Sequence, residues 1–215
     1  IKLQKGQTVI DIGCGGGHLV REISLCIGSD GKAIGVDPSE FQINSAKKMC
    51  SDLTNVELLC CNANSINIDQ GSCDAVTFTQ TLEYIENVDD ALCEAKRVQK
   101  PNFKFANIST LWNFFGFHGP EKKLNDMIHD SYRGQKHPML PTQLNGKLEM
   151  QGYTNIKNQE ISFPKFHEVN MISAAIKNGI TKDLVLDWQN QLDKAEKEGR
   201  FAFTVISVLT SAFSV

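Results

Sequence analysis

The sequence predicts an α/β fold, a parallel β-sheet covered by helices on both faces. Two observations carry this. Through the first half of the chain, short apolar runs of strand length alternate with segments whose apolar residues recur at helical spacing. The first of these runs passes directly into a Gly-rich turn that opens a helix, as the connections of a parallel sheet do.

The elements follow in order. Thr8–Ile12 is a buried strand, and residues 13–17 are the Gly-rich turn. Leu19, Val20, Ile23, Cys26 and Ile27 then recur on one helix face, and Gly28 is placed to stop that helix in a left-handed cap. Residues 33–36 form a second strand ending at Asp37. Residues 38–50 fit a helix with Phe41, Ile43, Ala46 and Met49 inward, and Val56–Cys60 is the third strand. After a turn at 69–72, residues 74–79 are the fourth strand. Asn87 can cap a helix whose Val88, Ala91, Leu92, Ala95 and Val98 share a face. Asp89 and Asp90 open that helix and Lys96 and Arg97 close it, as the helix dipole prefers, with Pro101 expected to end it. Residues 103–108 are the fifth strand.

Residues 111–141 break this rhythm. The segment is rich in Trp, Phe, His and Gly and longer than an ordinary connection, so it reads as a lid-like insertion. Beyond it, residues 143–150 look helical, 155–163 extended, and 182–198 a long amphipathic helix closed by Gly199. Residues 201–215, dense in β-branched and aromatic side chains, read as a last strand with Phe201 and Phe203 in the core.

With 215 residues, 41% of them hydrophobic, the chain can bury a sizeable core. A net charge of -3 leaves no electrostatic footprint for wrapping nucleic acid or coating an anionic membrane. The seven cysteines fall in predicted strands and helices rather than in a loop-rich disulfide framework, so reduced thiols in the cytoplasm fit. Cys60 and Cys61 resemble a metal or thiol pair, but adjacent strand residues face opposite sides, and the pair reads as structural. No apolar run approaches the roughly 20 residues of a membrane span. The start of the chain lacks a signal-peptide pattern and lies so close to the first strand that it leaves room for a preceding segment.

The chemistry concentrates where the first strand meets its turn. A strand that runs through glycines into a helix presents free backbone N–H groups and a positive dipole end, which makes a ligand cradle. The glycines here stand as Asp11-x-Gly13-x-Gly15-x-Gly17, and His18 occupies the third small position that a dinucleotide fingerprint requires. Asp11 would repel a pyrophosphate but favour a ligand bearing an ammonium or sulfonium charge. Asp37, about 20 residues on at the end of the second strand, can accept both hydroxyls of a ribose. S-adenosylmethionine carries both kinds of cation and a ribose.

On these residues the sequence resembles the class I S-adenosylmethionine-dependent methyltransferases. The matching segments are Val9-Ile-Asp-Ile-Gly-Cys-Gly-Gly-Gly17, Gly35-Val-Asp-Pro-Ser39, Cys61-Asn-Ala63 and Cys73-Asp-Ala-Val-Thr-Phe-Thr-Gln-Thr-Leu-Glu-Tyr-Ile85, and together they span about residues 5–110. The resemblance implies a Rossmann-like, mostly parallel sheet of seven strands whose last strand is antiparallel. It implies that Asp11, Gly13, Cys14, Gly15 and Gly17 surround the methionine part, that Asp37 and Pro38 hold the ribose, that Asn62 and Ala63 contact adenine, and that Thr79 and Gln80 lie near the methyl group. S-adenosylhomocysteine would be the product. The whole of 1–215 is then one methyltransferase domain, with a cofactor-binding half at 1–110, a lid or substrate insertion at 111–141 and a C-terminal half at 142–215. The sequence departs from the family pattern in three places: Asn62 replaces a common acid, Cys73 a Phe, and Asn102-Phe103 a Gly pair.

Methyl transfer from a sulfonium needs mainly alignment, and no obvious set of acidic magnesium ligands is present. A general base helps only when the acceptor must lose a proton. The insertion offers His137 as the first candidate for that role and His118 as the second, with His129 behind them, while His18 suits a capping or ligand contact. Glu83 and Tyr84 follow the fourth strand, where such a fold builds its pocket, though Glu83 can equally orient the main chain. Trp112, Phe114, Phe115 and Phe117 either wall an aromatic or lipid-like acceptor or anchor the insertion. DNA amino-methyltransferases place Asn or Asp, Pro-Pro and an aromatic after the fourth strand. This chain has Thr79-Gln80-Thr81-Leu82 there, which argues for a small-molecule acceptor and against nucleic acid. Two rival readings remain: a nicotinamide-dependent oxidoreductase, opposed by His18 and Asp11, and a non-catalytic methyltransferase-like scaffold, motivated by Asn62 and Asn102-Phe103.

Overall fold

A computed structural model describes residues 2–161 and 169–214. Its centre is a sheet in which β1 (Thr8–Ile12), β2 (Lys32–Asp37), β3 (Val56–Cys60), β4 (Cys73–Thr79) and β5 (Gln99–Thr110) all run parallel. β9 (Ser207–Ser214) is antiparallel to β5 and to the edge strand β7 (Tyr153–Ile161), giving the order β3-β2-β1-β4-β5-β9-β7. The seven-stranded, mostly parallel sheet with an antiparallel last strand is the architecture the sequence led us to expect.

Side-chain alternation divides the core between the two sheet faces. Val9, Ala33 and Ala75 pack against Val20, Ile23 and Ile27 of α1 (His18–Ile27) and Ile43 of α2 (Glu40–Met49). Ile10, Ile12, Val76, Phe78 and Phe105 pack on the other face against Val88, Ala91, Leu92, Ala95 and Val98 of α3 (Val88–Val98). Leu144 and Leu148 of α5 (Leu144–Met150) join that second face. Asn87 caps α3 by accepting from the backbone N–H groups of Asp89 and Asp90 at 3.1 and 3.4 Å, an arrangement worth about 1 kcal/mol.

Several expectations are corrected. Phe41 and Cys26 lie on the outer faces of their helices, because Phe41 stands two positions before Ile43, on the opposite side of the helix, and Cys26 one position before Ile27, beside the buried stripe. Gly28 has a positive φ of 73°, but its ψ of 177° is extended, so it is not a left-handed cap. Pro101 does not end α3. The helix closes at Val98, and Pro101 sits within β5, where pairing with β4 jumps from Cys73↔Gln99 to Ala75↔Lys104 and residues 100–103 bulge out.

The insertion is not a plain loop. It holds β6 (Gly116–His118) and α4 (Lys122–Tyr132), which pack with α6 (Val169–Lys177), α7 (Lys182–Lys197) and β8 (Ala202–Thr204) around a core of their own. α6 was not foreseen. The expected last strand splits in two, its first part pairing as β8 with β6 and its second joining the main sheet as β9. Phe203 packs against this third core, while Phe201 is 36% exposed, outside β8, and not a core residue. Residues 162 and 163, the end of the extended segment expected at 155–163, lie outside the described residues. Among the described residues no helix is long and apolar enough to cross a membrane.

Candidate functional site

Strand order turns back between β1 and β4, since the chain lays β2 and β3 on one side of β1 and β4 and β5 on the other. A crevice opens at such a switch point, above the C-terminal ends of the strands. Here it holds a cavity of about 940 Å³, at the large end of the range for small-molecule sites.

Its floor is the turn after β1. Gly13 and Cys14 both donate backbone N–H groups to the Val36 carbonyl, at 2.7 and 2.9 Å, which folds the turn across β2. Gly13 must lack a side chain, since a Cβ there would stand 2.2 Å from the Thr81 methyl. A Cβ on Gly15 would meet no heavy atom within 4 Å, so the backbone lies open to the cavity at that point. α1 begins immediately afterwards with no side-chain cap, unlike α2 and α3, which Ser39 and Asn87 cap. Its first N–H groups remain available to a ligand.

Two carboxylates flank this cradle. Asp37 accepts the Gly15 N–H at 3.0 Å on one oxygen and the Ser39 N–H at 2.9 Å on the other, and so braces the turn while each oxygen keeps a second lone pair. Asp11 is 2% exposed and accepts the Thr77 hydroxyl at 2.8 Å. Burial pushes its carboxyl up to about 7, the Thr77 hydrogen bond opposes the rise, and the neighbouring charge of Asp37 adds to it. The Cys14 thiol is pushed up to about 12 by burial and then by Asp11 and Asp37, which leaves it neutral and unreactive.

The cavity brings together every residue expected at the cofactor except one. Asp11, Gly13, Cys14, Gly15, Asp37 and Pro38 line one end. Asn62 and Ala63, just past β3, and Thr79 and Gln80, at the end of β4, line the rest. Gly17 is the exception. It is buried with φ 85°, and a Cβ there would lie 2.8 Å from that of Ala46, so it serves the close approach of α1 and α2. Gln80 holds a left-handed φ of 52°, a strained state for a residue with a side chain, and donates to the Thr110 hydroxyl at 2.8 Å.

Neither candidate base lines the cavity. The exposed His118 pairs its Nε2 with the Thr204 hydroxyl at 2.9 Å, across the β6–β8 pair. His137 directs its Nε2 to the Ile85 carbonyl at 3.1 Å. His129 accepts the Phe117 N–H on its Nε2 at 3.1 Å. His18, at the first position of α1, is the imidazole that does line the cavity. Two of the insertion's aromatics anchor it, Phe117, 2% exposed in the third core, and Phe115 packed beside it, whereas Phe114 points to solvent. Glu83 is fully buried, and its Oε1 accepts the Thr110 N–H at 2.9 Å, so it orients main chain; burial raises its carboxyl. All seven cysteines are unpaired, Cys60 and Cys61 included. Among the described residues no three His, Cys, Asp or Glu side chains gather as metal ligands would.

Sequence reasoning placed Tyr84 beside the pocket but passed over the rest of the far wall, Ile85, Glu86 and Asn87. Asn87 was read only as a helix cap. A residue that caps a helix starting just past the fourth strand also stands at the mouth of the crevice, and that signal could have found it.

Comparison with known proteins places this geometry. A family model described as "Methyltransferase domain" matches residues 3–156. The demethylmenaquinone methyltransferase of Oceanobacillus iheyensis is 33% identical over 112 residues, covering 51% of this chain and 47% of that enzyme. The chain spans less than half the length of the curated relatives it matches. Among solved structures, the YcgJ protein of Bacillus subtilis superposes with a TM-score of 0.71 at 17% identity over 99% of this chain and 94% of that one. A SAM-dependent methyltransferase from Aquifex aeolicus gives 0.61 at 19% identity over 99% and 85%. Those two likenesses are of fold.

Proposed function

The chain belongs to this family of methyltransferase domains, and from that premise we propose that it transfers a methyl group from S-adenosylmethionine to a small-molecule acceptor. One observation carries the reading: two carboxylates, Asp11 buried and Asp37 at the end of β2, flank a glycine cradle in a single cavity. Such a pair repels a pyrophosphate and attracts a ligand that is cationic and bears a diol.

Asp37 would accept the ribose hydroxyls on the lone pairs that Gly15 and Ser39 leave free. Asp11 would attract the cationic methionine end, and the uncapped start of α1 would receive its carboxylate. Asn62 and Ala63 border the place for adenine, and Asn62 offers an acceptor carbonyl to an exocyclic amine. Bound there, S-adenosylmethionine supplies an electrophilic methyl on an excellent leaving group. The chain's own task is to align the acceptor beside Thr79, Gln80 and Tyr84 and to exclude water. With His137 and His118 engaged elsewhere, we assign no dedicated general base, which suits an acceptor that is nucleophilic as it binds. Residues 1–110 would supply the cofactor site, 111–141 would brace its wall from outside through residues 135–137, and 142–215 would complete both the sheet and the third core. Seven free thiols suit a reducing, cytoplasmic setting.

Isothermal titration with S-adenosylmethionine, S-adenosylhomocysteine and NAD tests this. Micromolar binding of the first two without NAD is expected. Asp37→Ala should weaken both by about 10- to 100-fold, the worth of hydrogen bonds to a charged group. Binding of NAD alone, or of none of the three, would overturn the reading.

A further inference from the structure

Three consecutive residues near the end of the insertion each grip the far wall of the cavity. Gln135 donates its Nε2–H to the Tyr84 hydroxyl at 3.3 Å. Lys136 forms an ion pair with Glu86. His137 makes the most contacts: its backbone N–H meets the Glu83 carbonyl at 3.0 Å, and its Nε2 meets the Ile85 carbonyl at 3.1 Å and the Glu86 carbonyl at 3.4 Å. Tyr84, Ile85 and Glu86 all line the cavity.

The chemistry of the His137 contact is decided by its partners. A carbonyl oxygen can only accept, so Nε2 must carry a hydrogen and donate it. A nitrogen that holds its proton against two carbonyls cannot take one from an acceptor molecule. Nε2 is therefore spent on the wall, as a donor rather than as a base.

The wall needs such a hold. From residue 82 to 87 it is a single 3-10 turn, Leu82–Tyr84, followed by extended chain, with little secondary structure to stiffen it. On its inner side the buried Glu83 carboxylate ties it to the Thr110 N–H at the end of β5. On its outer side the 135–137 segment does the tying. That segment is itself fixed, since the Leu140 N–H donates to the His137 carbonyl at 3.1 Å and the Trp112 N–H to the Pro138 carbonyl at 2.8 Å.

We propose that His137 is a positioning residue of the methyl-transfer site: its Nε2–H clamps the Ile85 and Glu86 carbonyls and holds the cavity wall in the form that receives cofactor and acceptor. The proposal rests on the functional reading above. It also places the insertion in contact with the site through main chain.

The test combines a spectroscopic and a binding readout on the whole chain. Imidazole 15N spectra of the wild type should show His137 as the Nε2–H tautomer, and an Nδ1–H tautomer would overturn the clamp. S-adenosylhomocysteine is then titrated into the wild type, His137→Ala and His137→Gln, each first shown to fold by circular dichroism. His137→Ala should bind about tenfold more weakly, the loss of roughly one useful hydrogen bond. His137→Gln, whose amide N–H can reach the same carbonyl, should recover to within about threefold of wild type. Unaltered affinity in His137→Ala, or a loss in His137→Gln as large as in His137→Ala, sinks the proposal while leaving the methyltransferase reading standing. A wild type that binds no S-adenosylhomocysteine sinks the methyltransferase reading, and the clamp with it.

Discussion

The sheet body and the cap formed by β6, α4, α6, α7 and β8 spend their polar groups differently. In the body, Asp11, Asp37 and the N-terminus of α1 converge on open space. In the cap, the polar groups satisfy one another. The Asn125 side chain bridges Trp188 Nε1 at 2.9 Å and the Phe117 carbonyl at 2.7 Å. His129 accepts the Phe117 N–H, and His118 pairs with Thr204. The Phe117 ring centroid lies 4.8 Å from that of the tilted Phe203 ring and 5.5 Å from that of Trp188, which it meets edge to face, and the three close an aromatic core. Polar residues left facing a void are offered to a ligand, whereas those paired around aromatics are packing. The histidines of the cap belong to the second kind, although their residue type suggests the first.

The sharpest way to break this comparison is to remove Trp188, which is fully buried at the centre of the cap. Trp188→Ala should cost about 3–5 kcal/mol and leave Asn125 short of a donor. If the cap is a packing unit apart from the body, near-ultraviolet circular dichroism should lose its aromatic signal at a lower temperature than the sheet unfolds, with S-adenosylhomocysteine binding retained. Loss of sheet, cap and binding in one transition would show that the two share a single cooperative core.

The same division explains what could be read from the chain. The body follows local rules: glycine where the turn crosses β2 and meets Thr81, Asn87 at a helix start, apolar stripes that match the helical period. Each rule acts within a few residues, and all but one of the positions expected at the cofactor therefore fall in one cavity. The cap is decided by contacts between distant segments, such as Phe117 with Trp188 and Phe203, and no periodicity announces them. That is why α6 was missed, why the final strand was read as one piece, and why Phe201 was placed in the core. His137 misled for a related reason. Residue type suggests a base, but its role is set by which carbonyl its nitrogen meets.

The body's chemistry can be sharpened through Asp11. Its carboxyl, raised to about 7 by burial, attracts a cationic ligand only when ionised. Affinity for S-adenosylmethionine should be constant well above that value and fall about tenfold per pH unit below it, as protons compete for the site. Asp11→Asn should bind more weakly at high pH and lose the slope. A wild type whose affinity is flat from about pH 8 to about pH 5.5 would remove Asp11 from the cationic end of the ligand.

The smallest effect sets the two regions against each other in the sign of their response to acid. His129 accepts a hydrogen bond on Nε2 and is half-buried, and burial first, then the charge of His118, hold its pKa below the ordinary value. In the unfolded chain the ring protonates near pH 6.5, ahead of the folded form. Acidification through that value should therefore favour unfolding, with the contribution complete above it and lost as pH falls toward the folded pKa. Asp11 does the opposite. Its folded carboxyl takes up a proton near 7 while the unfolded one waits until about 3.8, so acidification across that window steadies the body. Melting temperatures of the wild type, His129→Gln and Asp11→Asn between about pH 8 and about pH 5 separate the two. Relative to His129→Gln the wild type should lose ground as pH falls, and relative to Asp11→Asn it should gain. Equal slopes in all three proteins would mean that burial shifts neither pKa.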